Sequence, residues 1–410
     1  MFVTVLLDIL SFGVIIPVLP KLVIQFQGGD SASAAHVIGW FGTVWALMQF
    51  FCAPLLGSLS DRFGRRPIIL ISIAGLGADF VLMALAPTLW WLFVGRVISG
   101  ITSSAYPTAG AYIADVTPHE KRAAKFGMLG AAFGVGFIIG PAVGGLLGTI
   151  SLRAPFWLAA GLCLTNALYG YFVLPESLPR ERRSPFNWRR ANPVGSFRFL
   201  LSHPELFGLG LVGFLYMLAH NSLPVMFVLY ADYRYGWNER TVGLVLSVFG
   251  VCSMIVQAGL VGRVVKWIGE RRALMAGLLF GATAYLIYGL APAGRFFLIG
   301  IPIGAMTGLV NPSLQALMSR RVDPGEQGRL QGANASLVGI AGVFAPTLFT
   351  QVFAASVSSE RAVRLPGSPY LLASLVALIA CLLAWSATRG RRAASAADSD
   401  TTESRTRSLP

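Results

Sequence analysis

Three ionisable side chains lie inside long apolar stretches of the sequence. Asp8 falls in LLDILSFGVIIPVLP, Asp79 in GLGADFVL and Arg96 in LFVGRVISG. A charge near the centre of a bilayer costs at least ~2.5 kcal/mol on insertion scales, so such residues are retained for function or for a structural ion pair. A carboxyl group in this setting must be paired, hydrated or protonated, which makes it a candidate proton carrier. We therefore predict proton chemistry at Asp8, Asp79 and Arg96, with a purely structural role as the alternative for each.

Depth in the membrane also allows Asp79 to pair with Arg96. At ~1.5 Å of rise per residue, both lie about 10 Å from the nearer ends of their helices, which are joined only by Pro87 and Thr88. An arginine beside a carboxyl group favours the ionised form of that group. The residues alone leave open whether Asp8 or Asp79 exchanges the proton that Arg96 would control.

Other kinds of reactive site have no support in the sequence. Cys52, Cys163, Cys252 and Cys381 each fall in a different apolar run without paired spacing, which predicts neither a disulfide framework nor a metal site. The sequence contains no phosphate-binding loop, no HExxH zinc motif and no paired intramembrane histidines. We therefore expect no cofactor, no metal and no enzymatic activity.

The elements that must position the three charges are membrane-spanning helices. The chain is 55% hydrophobic and 12% charged, whereas a soluble domain carries about 25% charged residues. Apolar runs of roughly 20 residues, the length that crosses a ~30 Å hydrocarbon core, recur from end to end. We predict twelve spans, at 2–22, 37–59, 67–86, 90–114, 124–149, 155–174, 205–231, 241–262, 273–291, 295–318, 330–354 and 369–388.

Most of the 32 Lys and Arg residues fall in alternate loops, on the side of the membrane that holds both chain ends. The positive-inside rule therefore predicts that both termini are cytoplasmic. The net charge of +14 is explained by this topology. It gives no reason to expect a nucleic-acid partner, and the lipid bilayer is the expected surrounding.

A polar stretch divides the spans into two groups of six. We predict an N-terminal six-helix half (1–174), a cytoplasmic linker (175–204), a C-terminal six-helix half (205–388) and a disordered cytoplasmic tail (389–410). The halves repeat at an offset of about 205 residues, which pairs Gly64 with Gly269 and Pro141 with Pro346. Duplicated halves of this kind indicate a transporter whose binding site lies between them.

The loop between the second and third spans reads GSLSDRFGRRPIIL. It resembles the best-known signature of the major facilitator superfamily, and the resemblance extends to about residue 388. In that family the acidic residue meets the positive end of the helix-11 dipole, which implies that Asp61 latches the two halves in the outward-facing state. A loop that only follows the positive-inside rule is the alternative. The latch predicted by this resemblance comprises Gly57, Asp61, Arg62, Gly64, Arg65 and Arg66.

The fifth span, GMLGAAFGVGFIIGPAVGGLLG, repeats glycine at every fourth position. Such a ridge allows another helix to approach closely. It also resembles the signature that distinguishes the antiporters of the superfamily from its symporters and uniporters. The antiporter motif implied in this way comprises Gly136, Gly140, Pro141, Gly144 and Gly145.

Further segments resemble the twelve-helix drug:proton antiporters, and most closely the tetracycline-efflux proteins. They are LLDILSFGVIIPVLP, ALMQFFCAPLLGSLSDRFGRRP, YGWN and LQG. The chain lacks the helix-9 aspartate typical of those proteins, and it has Ser253 where they carry a helix-8 histidine.

The resemblance implies an all-α fold of two pseudo-symmetric six-helix halves in a bacterial inner membrane. It also implies a monomer in which helices 1, 4, 7 and 10 surround a cavity, which favours Asp8 as the acid facing water and Arg96 as a residue of proton coupling.

The function implied is proton-coupled export of drug-like compounds, of tetracycline or multidrug type. Transport of a physiological metabolite and a non-transporting membrane sensor are the alternatives. Polar and aromatic side chains within or beside the cavity-lining spans are candidates for substrate binding, with helix packing as the alternative for each. They are Gln49, Tyr106, Tyr216, His220, Asn221, Gln257, Asn311, Gln315 and Asn334.

Overall fold

A computed structural model describes residues 1–102, 105–184, 203–323, 326–358 and 364–406. Before residue 184 the helices are α1 Phe2–Ile15, α2 Leu19–Phe26, α3 Ser31–Phe63, α4 Arg65–Leu85, α5 Leu89–Thr102, α6 Ala105–Val116, α7 His119–Gly148 and α8 Ala154–Val173. From residue 203 onward they are α9 Pro204–Tyr235, α10 Glu239–Ile255, α11 Val261–Leu290, α12 Gly294–Ala305, α13 Val310–Ser319, α14 Gln327–Val357 and α15 Ser368–Thr406. A π-helical segment, Val256–Leu260, joins α10 to α11, and a 3₁₀ segment, Met306–Leu309, joins α12 to α13.

The described helices are consistent with the twelve predicted crossings. Ten continuous helical stretches are long and apolar enough to span a bilayer, and one of them, Glu239–Leu290, has 52 residues and is long enough for two crossings. Its backbone leaves the helical region at Gly269, where the eighth crossing ends and the ninth begins. The shorter apolar helix Leu89–Thr102 forms the fourth crossing together with α6.

The two halves share an unusual backbone conformation at equivalent places. Gly64, between α3 and α4, has φ 106° and ψ 157°, and Gly269 has φ 79° and ψ 159°. A side chain is strained at such positive φ values, so glycine is favoured at both turns. These are two of the positions that the sequence offset pairs, so the backbone repeats where the sequence repeats.

Several helices contain a proline in the interior, which removes one backbone hydrogen bond and clashes with the preceding turn. Neighbouring helices make this tolerable within a membrane. Pro224 of α9 and Pro346 of α14 lie beside the cavities described below, whereas Pro141 of α7 faces α10. These three prolines therefore occur where helices of the two halves meet.

The last helix differs from the sequence prediction. The backbone of α15 continues to Thr406, so residues 389–406 of the predicted disordered tail are helical here. They extend the twelfth span directly, and the alanines of RRAASAA favour helix. Residues 185–202 of the predicted linker and 407–410 of the tail lie outside the described residues.

Candidate functional site

The halves meet along two pairs of helices, α3 with α14 and α7 with α10. In the first pair, Thr43 Oγ1 donates to the Val343 carbonyl at 2.9 Å and lies 2.7 Å from Thr347 Oγ1. In the second pair, Ser247 Oγ donates to the Ile138 carbonyl at 2.5 Å. Hydroxyl groups therefore connect the backbones of the two halves in both pairs of helices.

Opposite charges from the two halves meet at one end of the bundle, which we call the Lys21 end. Lys21 Nζ lies 3.0 Å from Asp232 Oδ1 and 3.3 Å from Glu239 Oε1, and it donates to the Trp237 carbonyl at 2.8 Å. The three charged side chains are 11%, 30% and 19% exposed. These contacts connect α2 to the turn between α9 and α10 and close this end of the bundle.

The sequence YGWN builds the turn that receives Lys21. Gly236 takes the left-handed conformation that ends α9, and the Asn238 side chain accepts from Thr241 N at 2.9 Å to begin α10. The Trp237 ring packs against Tyr235 and Phe297, with centroid distances of 5.1 and 6.1 Å. The turn is therefore held rigidly by the C-terminal half, and Lys21 is the group that reaches it from the other half.

The opposite end, which we call the Asp61 end, has a different arrangement. Asp61 Oδ1 pairs with Arg65 at 2.6 Å, and Arg65 Nε reaches Asp115 Oδ2 at 3.1 Å. The Glu176 carboxylate accepts from Arg65 N at 2.8 Å and so caps α4. Asp61, Arg65 and Asp115 belong to the N-terminal half, and Glu176 lies at the start of the linker that follows it. Within the described ranges no ion pair joins the halves at this end, so the contact of Asp61 with helix 11 that the sequence suggests stays a prediction for another state.

The remaining latch residues surround this network. A Cβ built on Gly64 would overlap the Glu176 side chain. Glycine at this position therefore leaves room for Glu176 to cap α4. Gly57 has no neighbour within 4 Å of such a Cβ. Arg66 donates to the Tyr171 carbonyl, and the Arg62 guanidinium lies over the Phe63 ring at 5.1 Å.

Two adjoining cavities lie between the halves. The smaller, of about 190 Å³, is toward the Lys21 end, and the larger, of about 610 Å³, extends toward the Asp61 end. Both are lined by Gly42, Trp45, Pro224, Val225 and Pro346. The Phe12 and Trp45 rings stack in the smaller cavity with centroids 6.0 Å apart. Pockets for drug-sized molecules are roughly 300–1,000 Å³ and mostly apolar, so this space suits an aromatic or amphipathic ligand.

Two of the predicted substrate-binding residues line the larger cavity. They are Gln49 of α3 and Asn221 of α9, whose Nδ2 donates to the Met217 carbonyl at 2.9 Å. Tyr216 and His220 stack with centroids 5.5 Å apart on α9, and the Tyr216 hydroxyl donates to the Thr307 carbonyl at 3.4 Å.

The other predicted binding residues lie apart from the described cavity walls. Gln315 accepts from Asn334 at 3.2 Å, which joins α13 to α14 within the C-terminal half. The side chains of Gln257 and Asn311 are exposed and are not among the lining residues. Tyr106 lies outside the described side chains. Substrate binding by all nine residues stays a prediction.

Arg96 is the charged side chain in the wall of the smaller cavity. It is 8% exposed, its Nε has no hydrogen-bond partner, and one Nη lies 3.4 Å from Met83 Sδ. Asp79 is fully buried on the adjacent α4, and neither of its oxygens has a hydrogen-bond partner. No ion pair within 4.0 Å joins them in the described part of the chain, although their charges are close enough to interact. Asp79 therefore lies behind the cation that faces the cavity.

Asp8 does not meet the expectation that it faces the cavity. It is absent from the residues that line either cavity, and its Oδ1 is buried without a partner. α1 packs against α7 and α8, and the Asp8 carboxyl group is within electrostatic reach of Cys163 on α8. The side chain therefore points into the N-terminal half, and its role in coupling stays a prediction.

The glycine ridge of α7 has two faces with different partners. A Cβ on Gly140 would lie 2.8 Å from Gly13 Cα, and one on Gly144 would overlap the Val14 carbonyl, so this face packs against α1 in the same half. Gly136 faces Ile9 in the same way. The second face meets the other half.

That second face carries Gly145 and the Pro141 carbonyl. A Cβ on Gly145 would overlap the Glu239 carbonyl and lie 3.1 Å from Gly243 Cα. A Cβ on Gly243 would in turn overlap the Pro141 carbonyl. The motif therefore serves both the packing of one half and the contact between halves.

Sequence reasoning missed the aromatic side chains of the cavity and the Lys21 contact. Phe12, Trp45 and Phe50 are apolar residues within predicted spans, and their spacing does not single them out. Lys21 lies at the end of the first predicted span, and the acids Asp232 and Glu239 at the ends of neighbouring spans are a visible signal of a partner.

Comparisons with known proteins support the same fold. The family model of the Major Facilitator Superfamily matches residues 1–346. A class C tetracycline resistance protein of Escherichia coli is 41% identical over 356 residues, which cover 87% of this chain and 89% of that protein. Multidrug resistance protein 2 of Bacillus subtilis is 26% identical and covers 83% and 84%.

A solved structure of a nucleoside transporter has the same fold. It superposes with a TM-score of 0.80 at 12% identity and covers 95% of this chain and 98% of that one. The all-helical architecture, the paired halves with a cavity between them, the family model and the identity to curated relatives agree. The chain therefore belongs to the major facilitator superfamily of membrane transporters.

Proposed function

We propose that this protein is a proton-coupled antiporter that exports drug-like molecules across a bacterial inner membrane. The observation that carries the proposal is the cavity between the halves, with Arg96 in its wall and the unpartnered Asp79 behind it. Relatives named for resistance to tetracycline and to multiple drugs support export as the direction. The substrate is a small molecule, the co-transported ion is the proton, and the transporter acts as a monomer.

The charge distribution supports one orientation in the membrane. The arginine-rich Asp61 end is cytoplasmic under the positive-inside rule, and both termini are then cytoplasmic. With this orientation the closed Lys21 end is outside, which supports an inward-facing state. Rocking of the halves about the α3–α14 and α7–α10 contacts would open the Lys21 end and bring Asp61 to α14.

Antiport requires that substrate and proton disfavour each other's binding. Asp79, buried without a partner, is neutral while it carries the proton. A substrate that fills the smaller cavity displaces the Arg96 side chain from the wall toward Asp79. The approaching cation favours the ionised carboxylate, so the proton is released. A protonated Asp79 conversely leaves Arg96 at the wall, where it obstructs the substrate.

Accumulation of substrate in inside-out vesicles tests the function. With the vesicle interior acidified, wild-type protein is expected to accumulate tetracycline, ethidium or another member of a drug panel. Asp79→Asn is expected to bind the compound more weakly, as the protonated wild type does, and to lose accumulation driven by the pH gradient, because an amide cannot release a proton. Unchanged accumulation by Asp79→Asn would remove Asp79 from coupling, and Asp8→Asn is the comparison for the rival acid. Transport of metabolites with no response to the drug panel would overturn export of drugs.

Closure of the Lys21 end depends on Gly145. Replacing Gly145 by alanine is expected to slow export about tenfold, since relieving an overlap of this kind typically costs ~1–3 kcal/mol. Gly130→Ala on the same helix is the matched control, because a Cβ there has no neighbour within 4 Å. Initial rates of export in cells, normalised to the amount of membrane-inserted protein, measure the difference. Equal rates for the two variants would contradict a close approach of α7 to α10 during transport.

A further inference from the structure

The turn between the eighth and ninth crossings carries charges of the opposite sign to its copy in the N-terminal half. At the repeat offset of about 205 residues, Asp61, Arg65 and Asp115 correspond to Lys266, Glu270 and Arg320. The contact of Arg65 with Asp115 recurs as a contact of Glu270 with Arg320. The pair of Asp61 with Arg65 does not recur, because no acid of the described residues lies within 4.0 Å of Lys266. The C-terminal copy therefore keeps a cation that its own half does not neutralise.

Lys266 shares one face of its helix with Arg263 and Trp267, and we call these three side chains the Trp267 surface. Their spacings of three and four residues place them side by side on the helix. Arg263 Nη1 donates to the Gly259 carbonyl at 3.0 Å and has no acid partner among the described contacts. All three side chains are exposed, and Trp267, at 87%, is the most exposed large hydrophobic side chain in the described ranges. The surface therefore presents two unpaired cations around an aromatic ring.

The same helix is apolar and open on the side of the Trp267 surface that lies toward the bilayer centre. Ile255 is 57% exposed and Leu260 is 37% exposed. At ~1.5 Å of rise per residue, Ile255 lies roughly 12 Å along the helix from Arg263. A Cβ on Gly259 or on Gly262 would have no neighbour within 4 Å, so nothing covers the helix between them. The helix surface thus changes from apolar to cationic along its axis, as a phospholipid changes from its acyl chains to its headgroup.

The charge of this surface selects among phospholipids. Tryptophan is enriched where a transmembrane helix meets the headgroup layer. Each Lys or Arg near that layer favours an anionic lipid by about fivefold. At the equivalent N-terminal turn, Asp61 and Asp115 lie beside Arg65 and would repel a phosphate. The anionic lipid is therefore assigned to the C-terminal turn.

We propose that the Trp267 surface binds the headgroup of an anionic phospholipid, with Lys266 and Arg263 donating to its phosphate and the Trp267 ring beside its glycerol. The phosphate takes the place of the acid that neutralises the N-terminal copy. The acyl chains then lie along the exposed apolar part of the helix. This inference goes beyond the proposed export, because it depends on neither the drug nor the proton.

Quenching of tryptophan emission by lipids with brominated acyl chains tests the proposal in nanodiscs that hold the full-length protein. The emission of Trp267 is the difference between the wild type and Trp267→Phe. Brominated phosphatidylglycerol, as a minor component in phosphatidylcholine, is expected to quench this emission more strongly than brominated phosphatidylcholine at the same fraction. Lys266→Gln should weaken the apparent affinity for phosphatidylglycerol about fivefold, and its combination with Arg263→Gln should remove the preference. All of these side chains are exposed, so the substitutions leave the packing intact.

Arg295→Gln is the matched control, because Arg295 is an exposed cation over the exposed Phe296 ring at the Lys21 end. It should retain the preference of the wild type. Equal quenching of Trp267 by the two brominated lipids would overturn the proposal, and would fit a face that protein covers when the Asp61 end closes. Inorganic phosphate should fail to displace brominated phosphatidylglycerol. Displacement by phosphate would assign the surface to a free anion and overturn the lipid.

A second readout does not use fluorescence. Native mass spectrometry of protein released from a mixture of the two lipids should show more phosphatidylglycerol retained by the wild type than by the Arg263→Gln, Lys266→Gln double variant. Equal retention by the two proteins would overturn the proposal. Because both measurements are made without a drug or a pH gradient, a failure of the proposed export would leave this result unchanged, and the reverse also holds.

Discussion

Arg96→Ala is expected to reduce gradient-driven export by at least about 100-fold, because removing one of two interacting buried charged groups typically costs ~3–5 kcal/mol. Without the cation, substrate in the smaller cavity has no means of favouring the ionised form of Asp79, so the proton stays bound. The expected defect is therefore in coupling and not in the shape of the cavity.

The pH dependence of substrate binding is the measurement that separates these roles. In the wild type, lower pH protonates Asp79 and opposes the substrate, so the dissociation constant should rise as pH falls. In Arg96→Ala it should be independent of pH over the same range. Arg96→Lys keeps the charge without the guanidinium geometry, and it should keep part of the pH dependence. A pH dependence in Arg96→Ala equal to that of the wild type would show that the arginine is structural.

The sequence was sufficient to predict the helices, since roughly 20-residue apolar runs have few alternatives in a membrane. It also placed Asp79 and Arg96 side by side, because rise per residue and a two-residue connection fix their depth. The repeat paired Gly64 with Gly269, and the structure shows that both adopt a positive φ that glycine takes without strain.

The direction of a side chain around its helix was harder to predict. Asp8 was expected in the cavity because the first helix of the family lines it, yet a helix has several faces and this side chain points toward α8. The glycine spacing of α7 likewise predicts a single packing surface. In the structure, Gly144 faces α1 in its own half and Gly145 faces α10 in the other half. Hydropathy along α1 and α7 is nearly uniform, so periodicity carries little information about which face meets which neighbour.

Contacts that form in only one conformational state could not be predicted from the sequence either. The family signature predicts Asp61 as a latch between halves, but in this structure it pairs with Arg65 in its own half. Lys21 lies at the opposite end of the bundle from Asp61. It joins the two halves at that end, which is closed in this structure. Each charge is informative only once the state of the transporter is known.

Lys21→Met is expected to shift the resting equilibrium toward the outward-facing state about 30-fold. Partly buried ion pairs and a charged hydrogen bond to a carbonyl together contribute ~2 kcal/mol, which corresponds to that factor. These contacts exist only while the Lys21 end is closed, so their loss destabilises this state alone. The affected residues, Asp232 and Glu239, would remain together on the C-terminal half without their cation.

Labelling of a cysteine placed at Ile16, in the wall of the smaller cavity, measures the shift. With each native cysteine replaced by serine, a membrane-impermeant maleimide added to intact cells should react about 30-fold faster in Lys21→Met than in the parent protein. Arg240→Met is the matched control, because Arg240 is an exposed cation beside Glu239 with no ion pair among the described contacts. Equal labelling in Lys21→Met and Arg240→Met would mean that the ion pairs do not hold the end closed.

The shift toward the outward-facing state in Lys21→Met should also weaken substrate binding from the cytoplasm, in a way that a simple loss of folding would not reproduce. Substrate from the cytoplasm binds the inward-facing state, so the apparent dissociation constant rises in proportion as the population of that state falls. Lys21→Arg retains the cation and should restore both labelling and affinity. Lys21→Glu places a third acid beside Asp232 and Glu239 and should label faster than Lys21→Met, because repulsion then opposes closure. Graded labelling in the order Arg, Met, Glu at position 21 would follow from charge alone, since the three side chains are all long and flexible.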